Sequence, residues 1–243
     1  DVVFGTPFSA SETLYAGKTD IAISFSVERQ TEFNAFVKST NNQINSLNTA
    51  LETLTPETAN NKTVDLMMFM GQSNMAGRGI TSVTWPQTAP IVPTGQGYEF
   101  RAISDPTKLY DIVEPFGVAE NNATSGVTET SKTGSMVSAF ALEYYNRTKV
   151  PVVGVSCSKG GSAISWWLPT GLPLQDAIAR FHAAESWLDA NGYTIRHKYM
   201  AWCQGETDGD NGTVPATYKS DFMKMVNAMF AEGIEKCFVI RIG

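Results

Sequence analysis

The chain has 243 residues, of which 42% are hydrophobic, enough for one α/β domain with a sizeable core plus an appendage. Charged residues make up 17% and the formal net charge is -6. That balance argues against nucleic acid, whose partners carry basic stripes, and gives no support for binding to an anionic membrane surface. No apolar run reaches the ~18 residues a bilayer-spanning helix needs, so no membrane insertion is expected. No signal peptide is visible, and the chain starts at Asp1 rather than Met, which leaves the natural N-terminus open.

Residues 1 to 62 are rich in Thr, Asn and Ser. Ile21 to Val27 (IAISFSV) alternates like a strand. Phe33, Val37, Thr40, Ile44, Leu47, Leu51 and Leu54 then follow at alternating spacings of 4 and 3, the seam that keeps one helix face toward a partner. Pro56 stops the pattern. Asn41, Asn42, Asn45 and Asn48 are poor helix formers, so a helix this short is marginal alone. Two arrangements would bury its stripe: an amphipathic helix lying on the following domain, or an oligomeric coiled coil formed by residues 33–54.

Residues 63 to 243 alternate strand-like and helix-like patterns. Val64 to Met70 (VDLMMFM), Pro151 to Cys157 (PVVGVSC), Tyr199 to Cys203 (YMAWC) and Cys237 to Ile242 (CFVIRI) are apolar runs suited to buried parallel strands. Helical patterns cover Ser135 to Arg147, Gln175 to Ala190 and Ala216 to Ala231. Strands alternating with helices predict an α/β domain with a parallel sheet covered on both faces. The Gly-, Pro-, Asn- and Thr-rich stretch 78 to 133 predicts irregular structure, with a short strand near Tyr98 to Ala102.

In an open parallel sheet, ligands bind beyond the carboxyl ends of the strands. Gly71-Gln72-Ser73-Asn74-Met75-Ala76-Gly77 follows the first run. Ser158-Lys159-Gly160-Gly161-Ser162 follows the second, and Gln204-Gly205-Glu206-Thr207-Asp208 the third. These are the residue types an acyl-transfer site needs. A serine can attack, glycines let backbone N–H groups approach an oxyanion, and an amide can donate to it. Each motif alone has a plainer reading: Ser73 as a helix N-cap, Gly160-Gly161 as a tight turn, Gln204 to Glu206 as a solvated turn. Their coincidence on one rim favours a site. Cys157, Cys203 and Cys237 sit in or beside apolar runs and read as small buried hydrophobes. With two histidines in the chain and no metal-ligand spacing, neither a metal site nor any other cofactor is expected.

Gly-Gln-Ser-Asn-Met at 71–75 resembles the opening block of the SGNH hydrolases, and more closely that of the sialate O-acetylesterase and carbohydrate esterase family 6 branch. Trp-Cys-Gln-Gly-Glu-Thr-Asp at 202–208 resembles the third block of that branch. Lys159-Gly160-Gly161-Ser162, with Trp166 following, resembles its second. The likeness covers roughly residues 63 to 243. It implies a flavodoxin-like α/β/α sandwich acting without a metal, with Ser73 as nucleophile. It also implies an oxyanion hole built from the N–H groups of Ser73 and of Gly160 or Gly161 with the Gln204 amide, and Glu206 holding its loop. Gln72, Asn74, Trp166 and Trp167 are the candidate substrate contacts, since aromatic faces suit sugar rings; core or interface tryptophans are the equal alternative.

The family takes its base from a late Asp-x-x-His block, which His182 and His197 do not match. His197 lies seven residues before Gln204, roughly 20 Å away along a strand, and His182 sits inside a helical pattern. The Asp/His pair is therefore expected beyond residue 243, with the domain incomplete at its C-terminus. The resulting expectation is a serine esterase that removes O-acetyl groups from carbohydrate. It would follow a stalk that assembles as a trimer, the number resting on a resemblance to phage tail fibres. An extracellular or virion setting is expected first and a secreted bacterial enzyme second. The rival expectation is a glycan-binding, receptor-binding part of a tail fibre without catalysis.

Overall fold

The structure, a computed structural model, describes residues 35–43, 45–46, 62–79, 89–122 and 126–241. The chain divides into two compact units, Asp1–Ala59 and Asn60–Gly243. In the first, residues 35–43, 45 and 46 are helical, which covers Val37 and Thr40 of the heptad. The Thr40 hydroxyl donates back to the Phe36 carbonyl at 2.9 Å, the usual resting place of a threonine hydroxyl within a helix. The strand expected at Ile21 to Val27 and the heptad positions Phe33, Ile44, Leu47, Leu51 and Leu54 lie outside the described residues.

The second unit is built on strand β1 (Thr63–Gly71). Its side chains divide between two cores. Val64, Leu66, Met68 and Met70 enter one, Met67 and Phe69 the other, so both faces are buried and the run reads as continuously apolar rather than alternating. On its flanks lie β2 (Gly97–Phe100), β3 (Leu109–Asp111), β4 (Val152–Ser158), β5 (Thr194–Cys203) and β6 (Lys236–Val239), giving the sheet order β3-β2-β4-β1-β5-β6. β3 alone is antiparallel. β2 falls where a short strand is expected. β5 begins earlier than its apolar run, because Thr194 to Lys198 lie at the half-covered end of the sheet where polar side chains are tolerated.

Counting only the parallel strands in chain order gives 2-3-1-4-5 across the sheet. This corrects the flavodoxin-like expectation at the level of strand order, which there is 2-1-3-4-5. The layered arrangement holds. The helix α2 (Val137–Thr148) covers one face through Val137, Phe140, Ala141 and Tyr144. The helices α3 (Leu172–Ala190) and α5 (Pro215–Ala231) cover the other through residues such as Leu174, Phe181, Leu188, Met225 and Met229. Two short helices, α1 (Ser73–Ala76) and α4 (Glu206–Asp210), open directly after β1 and β5. Among the described residues no helix is long and apolar enough to cross a membrane.

The irregular chain between β3 and α2 enters the cores through Ile112, Phe116 and Val127 and is fastened by charged groups as well. Arg180 on α3 is 1% exposed. It donates to the carbonyls of Glu120, Ser156 and Val127 and pairs with Asp176. Lys132 donates to the Gly117 carbonyl at 2.5 Å and the Ser156 hydroxyl at 3.0 Å. Glu114 accepts from the N–H groups of Ser135 and Ser138, supplying α2 with the N-terminal acceptor that its own Met136 cannot. A loop this long buries its backbone polar groups, and each needs such a partner.

Candidate active site

The order of the central strands opens the site. After β1 the chain passes to β2, on the far side of β4. After β4 it passes to β5, on the far side of β1. Connections leaving neighbouring strands in opposite directions create a crevice at their carboxyl ends. Gly71 stands there, paired with Ser158 on one side and Cys203 on the other. Its φ is +140°, and a Cβ there would lie 2.0 Å from the Cys203 carbonyl oxygen, so only glycine lets the three strands end this closely. The Lys159 N–H then donates to the Gly71 carbonyl at 2.9 Å, and the Gln72 N–H to the Cys203 carbonyl at 3.0 Å. The three polar turns are thus tied to one another at their first residues.

Ser73 is the first residue of α1 and is half-buried. It does not cap that helix: the N-cap position belongs to Gln72, with no side-chain cap bond. Among the described residues its hydroxyl has no hydrogen-bond partner, and the N–H groups of Ser73, Gly160 and Gly161 meet no acceptor. The backbone has unused donors at the place where an oxyanion would need them. Gly161 adopts φ +66°, a conformation that favours glycine, with open space where a side chain would be.

The remaining candidates divide. Asn74 is exposed, and its amide donates to Glu206 Oε1, bridging the first and third turns. The other Glu206 carboxylate oxygen is buried with no partner among the described residues. Trp166 is 47% exposed, with the Lys159 ammonium 5.9 Å from its ring centroid, so it offers a face to the rim.

The expectations for Trp167 and Gln204 need correction, and Gln72 has a bracing role. Trp167 is 0% exposed. It packs edge-on against Trp202 and donates its indole N–H to the Ser162 hydroxyl, so it presents no face to a sugar. Gln72 is buried, and its side-chain oxygen accepts from the N–H groups of Gly205 and Thr207, bracing the third turn. The Gln204 amide has two hydrogens. One goes to the Ser162 carbonyl at 3.0 Å and the other to Asp208 Oδ2 at 2.6 Å, while its oxygen accepts from the Tyr218 hydroxyl at 2.8 Å. None is left for an oxyanion.

Several residues at the rim lie outside the candidate set read from the sequence. Asp208 accepts from the Ile164 N–H and the Thr213 hydroxyl besides Gln204, joining the second and third turns. Arg78 and Glu129 pair at 2.8 Å beside Gly160. Arg78 could have been suspected, since it continues the Gly71–Gly77 turn, whereas Glu129 lies in a Thr- and Ser-rich loop with nothing to mark it. Beside the third turn, Gln204, Glu206, Tyr218, Val239, Ile240 and Arg241 line part of a cavity of about 530 Å³, within the range of small-ligand sites.

Neither histidine is at this rim. Asp65 pairs with His197, and Gly71 with Cys203, which puts His197 about 20 Å down the strands. His197 bonds Glu235 at 2.9 Å there and stacks on Tyr199. His182 bonds Glu185 and Glu232 on the exposed side of α3. The thiols are poor competitors for the serine. Burial pushes Cys157 up to about 12 and raises Cys203, at the rim end of β5, above its ordinary value, so both are held as thiols. Among the described residues no three or more His, Cys, Asp or Glu gather as metal ligands would.

A family model described as "Carbohydrate esterase, sialic acid-specific acetylesterase" matches residues 63–234. No curated protein sequence matches the chain. Among solved structures, one of a protein from Arabidopsis thaliana is similar at 18% identity and a TM-score of 0.46, covering 72% of this chain and 84% of that one.

Proposed function

The chain belongs to the carbohydrate esterase family of sialic acid-specific acetylesterases, and from that membership we propose that it removes O-acetyl groups from carbohydrate with Ser73 as nucleophile. The observation that carries the reading is a serine hydroxyl without a partner among the described residues at the crevice between β1 and β4, where the N–H groups of Ser73, Gly160 and Gly161 likewise meet no acceptor among the described residues. Ser73 Oγ attacks the acetyl carbonyl carbon, and its proton passes to a base. The tetrahedral oxygen takes hydrogen bonds from the N–H of Ser73 and of Gly160 or Gly161. Collapse expels the sugar oxygen, which recovers the proton, and leaves an acetyl ester on Ser73 that water hydrolyses to acetate. Neither His182 nor His197 serves as the base, for both are engaged elsewhere; without an aligned base a serine hydroxyl is barely nucleophilic.

Gln204 and Glu206 hold the turns in this reading. Gln204 fixes the third turn against the second, and Glu206 fixes Asn74, and with it the turn that carries Ser73. Trp166 is the aromatic face available to a sugar ring. The same reading takes the heptad from Phe33 to Leu54 as a stalk, supported by the 3-4 spacing, while its trimer number and a setting outside the cell or on a virion rest on the resemblance to phage tail fibres. Light scattering of the full-length protein beside a version starting at Asn61 tests the stalk: a change from trimer to monomer is expected, and equal masses overturn it. The activity is tested by acetate release from a panel of O-acetylated glycans incubated with the full-length protein. Acetate appearing with the deacetylated sugar is expected. Binding of a glycan with no acetate from any member of the panel would overturn the reading in favour of a non-catalytic receptor-binding domain.

A further inference from the structure

The two glycines of the second turn are glycine for different reasons. Gly161 has φ +66°, and nothing lies within 4 Å of where its Cβ would stand, so its backbone is what demands glycine. Gly160 is not among the positive-φ glycines. An alanine there would suffer no backbone strain, but its Cβ would fall 1.8 Å from Glu129 Oε2 and 3.6 Å from Arg78 Nη2. The Gly160 backbone therefore lies directly against a carboxylate from a remote loop.

That carboxylate is itself fixed. Glu129 is 8% exposed. It accepts from the Ser131 N–H at 2.9 Å and pairs with Arg78 at 2.8 Å, while its own N–H donates to Asn121 Oδ1 at 2.7 Å. Arg78 donates also to the Ser131 carbonyl at 2.6 Å. Arg78 belongs to the turn that begins at Ser73. Next to it, the Thr133 N–H donates to the Gly77 carbonyl at 3.2 Å and the Gly79 N–H to the Gly134 carbonyl at 2.8 Å. The loop carrying Glu129 is thus stitched to the nucleophile turn on one side and pressed on Gly160 on the other. Within the second turn the Ser162 hydroxyl donates to the Lys159 carbonyl at 2.8 Å and the Ser162 N–H reaches the same oxygen at 3.4 Å, so the turn is closed at its ends, while the Gly160 and Gly161 N–H groups between them meet no acceptor among the described residues.

Resting on the assignment of Ser73 and Gly160 above, we propose that the Arg78–Glu129 ion pair is a positioning device, a strut that sets the Gly160 N–H at its working distance from Ser73. Neither side chain touches the reacting atoms. Glu129 acts through the Gly160 backbone, and Arg78 acts by holding Glu129 to the nucleophile turn. A donor displaced by about 1 Å can cost ~10²-fold in turnover, and complete loss of one costs ~10²–10³-fold.

The test is a double-mutant cycle in the full-length protein on an acetyl ester substrate. Glu129→Ala is expected to lower kcat by about 10- to 100-fold with KM within about threefold. Glu129→Gln, which keeps the shape and one acceptor, should fall between it and wild type. Gly160→Ala should match Glu129→Ala, because its methyl displaces the same carboxylate. The Gly160→Ala, Glu129→Ala pair should lose no more than the worse single variant, since room for the methyl now exists. Labelling by a fluorophosphonate, located by mass spectrometry, separates the two levels of the argument. Failure to label Ser73 in the wild type overturns the assignment of the nucleophile. Labelling of Ser73 with unchanged kcat in Glu129→Ala overturns the strut alone. If Glu129→Ala does not fold, Gly160→Ala decides: an unchanged kcat overturns the proposal, and a loss confined to kcat supports it.

Discussion

The two ends of β1 and β5 are built from opposite electrostatic choices. At the amino end Asp65 is 0% exposed. It accepts from Arg196 Nε at 3.0 Å, from Arg196 Nη2 at 2.5 Å and from the Tyr144 hydroxyl at 2.5 Å. Burial, then the Asp65 carboxylate, hold the Tyr144 hydroxyl well above its usual value and so protonated. His197 and Glu235 close the same end. Each group there has its partner. At the carboxyl end several side chains are likewise matched, Gln72 to Gly205, Gln204 to Asp208, Asn74 to Glu206 Oε1, while the Ser73 hydroxyl and Glu206 Oε2 have no partner among the described residues. The N–H groups of Ser73, Gly160 and Gly161 also meet no acceptor among the described residues. A fully paired end contributes stability. An end whose side chains are braced while its backbone donors stay open is preorganised to receive charge, and that difference is what supports the proposed site.

Breaking the carboxyl end should affect rate and spare the fold. Ser73→Ala is expected to reduce acetate release by at least ~10³-fold with an unchanged melting temperature, measured by initial rates and calorimetry; retained turnover would remove Ser73 from the mechanism. Breaking the amino end should do the reverse. Asp65→Ala leaves Arg196 and Tyr144 without their shared acceptor, which costs about 2 kcal/mol. This is less than the ~3–5 kcal/mol of a wholly buried pair, because the Arg196 side chain is 36% exposed and reaches water. Urea unfolding reads the loss, and turnover of the folded fraction should stay within about twofold of wild type.

A third, smaller effect sharpens the comparison through pH. Burial holds the Lys132 ammonium down to about 8, whereas an unfolded lysine titrates near ~10.4. Between these values the unfolded chain binds more protons, so this residue's contribution to stability rises with pH across about 8 to 10. Unfolding midpoints of wild type and Lys132→Met should therefore shift in favour of wild type over that window, and parallel profiles would show Lys132 to be neutral or solvated. The smallest effects belong to the histidines. His182→Ala and His197→Ala remove exposed pairings worth about 0–1 kcal/mol and should leave acetate release within about twofold; abolition by either, with the fold intact, would put the base where this structure does not.

The central strands β1 and β4 were readable because burial on both faces forces a continuous apolar run, Val64 to Met70 and Val152 to Cys157. By contrast β6, expected to be buried from the run Cys237 to Ile242, is mostly exposed, and the short β3 was not expected. Helices α2, α3 and α5 followed from their 3.6-residue spacing and begin and end within a few residues of expectation. Strand order was not readable, since an apolar run suits any central position, and the placement of β1 between β4 and β5 departs from the flavodoxin order. In the site, the turns themselves were legible as glycine-bearing polar segments after strands. The uses of their side chains were not. Trp166 and Trp167 are neighbours in one short 3-10 turn, yet one faces solvent and the other fills the core against Trp202.

The sequence by itself determined the alternation of strands and helices, the three turns at one rim, and the serine that opens α1. These follow from periodicity and from glycine's freedom at Gly71 and Gly161, properties of neighbouring residues. Only the tertiary structure decided that Gln204 is a brace, that Trp167 is core, and that Glu129, from the loop between β3 and α2, lies against Gly160. Which groups meet across the rim depends on how loops distant in the chain are pressed together. A buried carboxylate or amide takes whichever partners that packing supplies, because leaving it unpaired costs more than any preference its own neighbours in sequence could express.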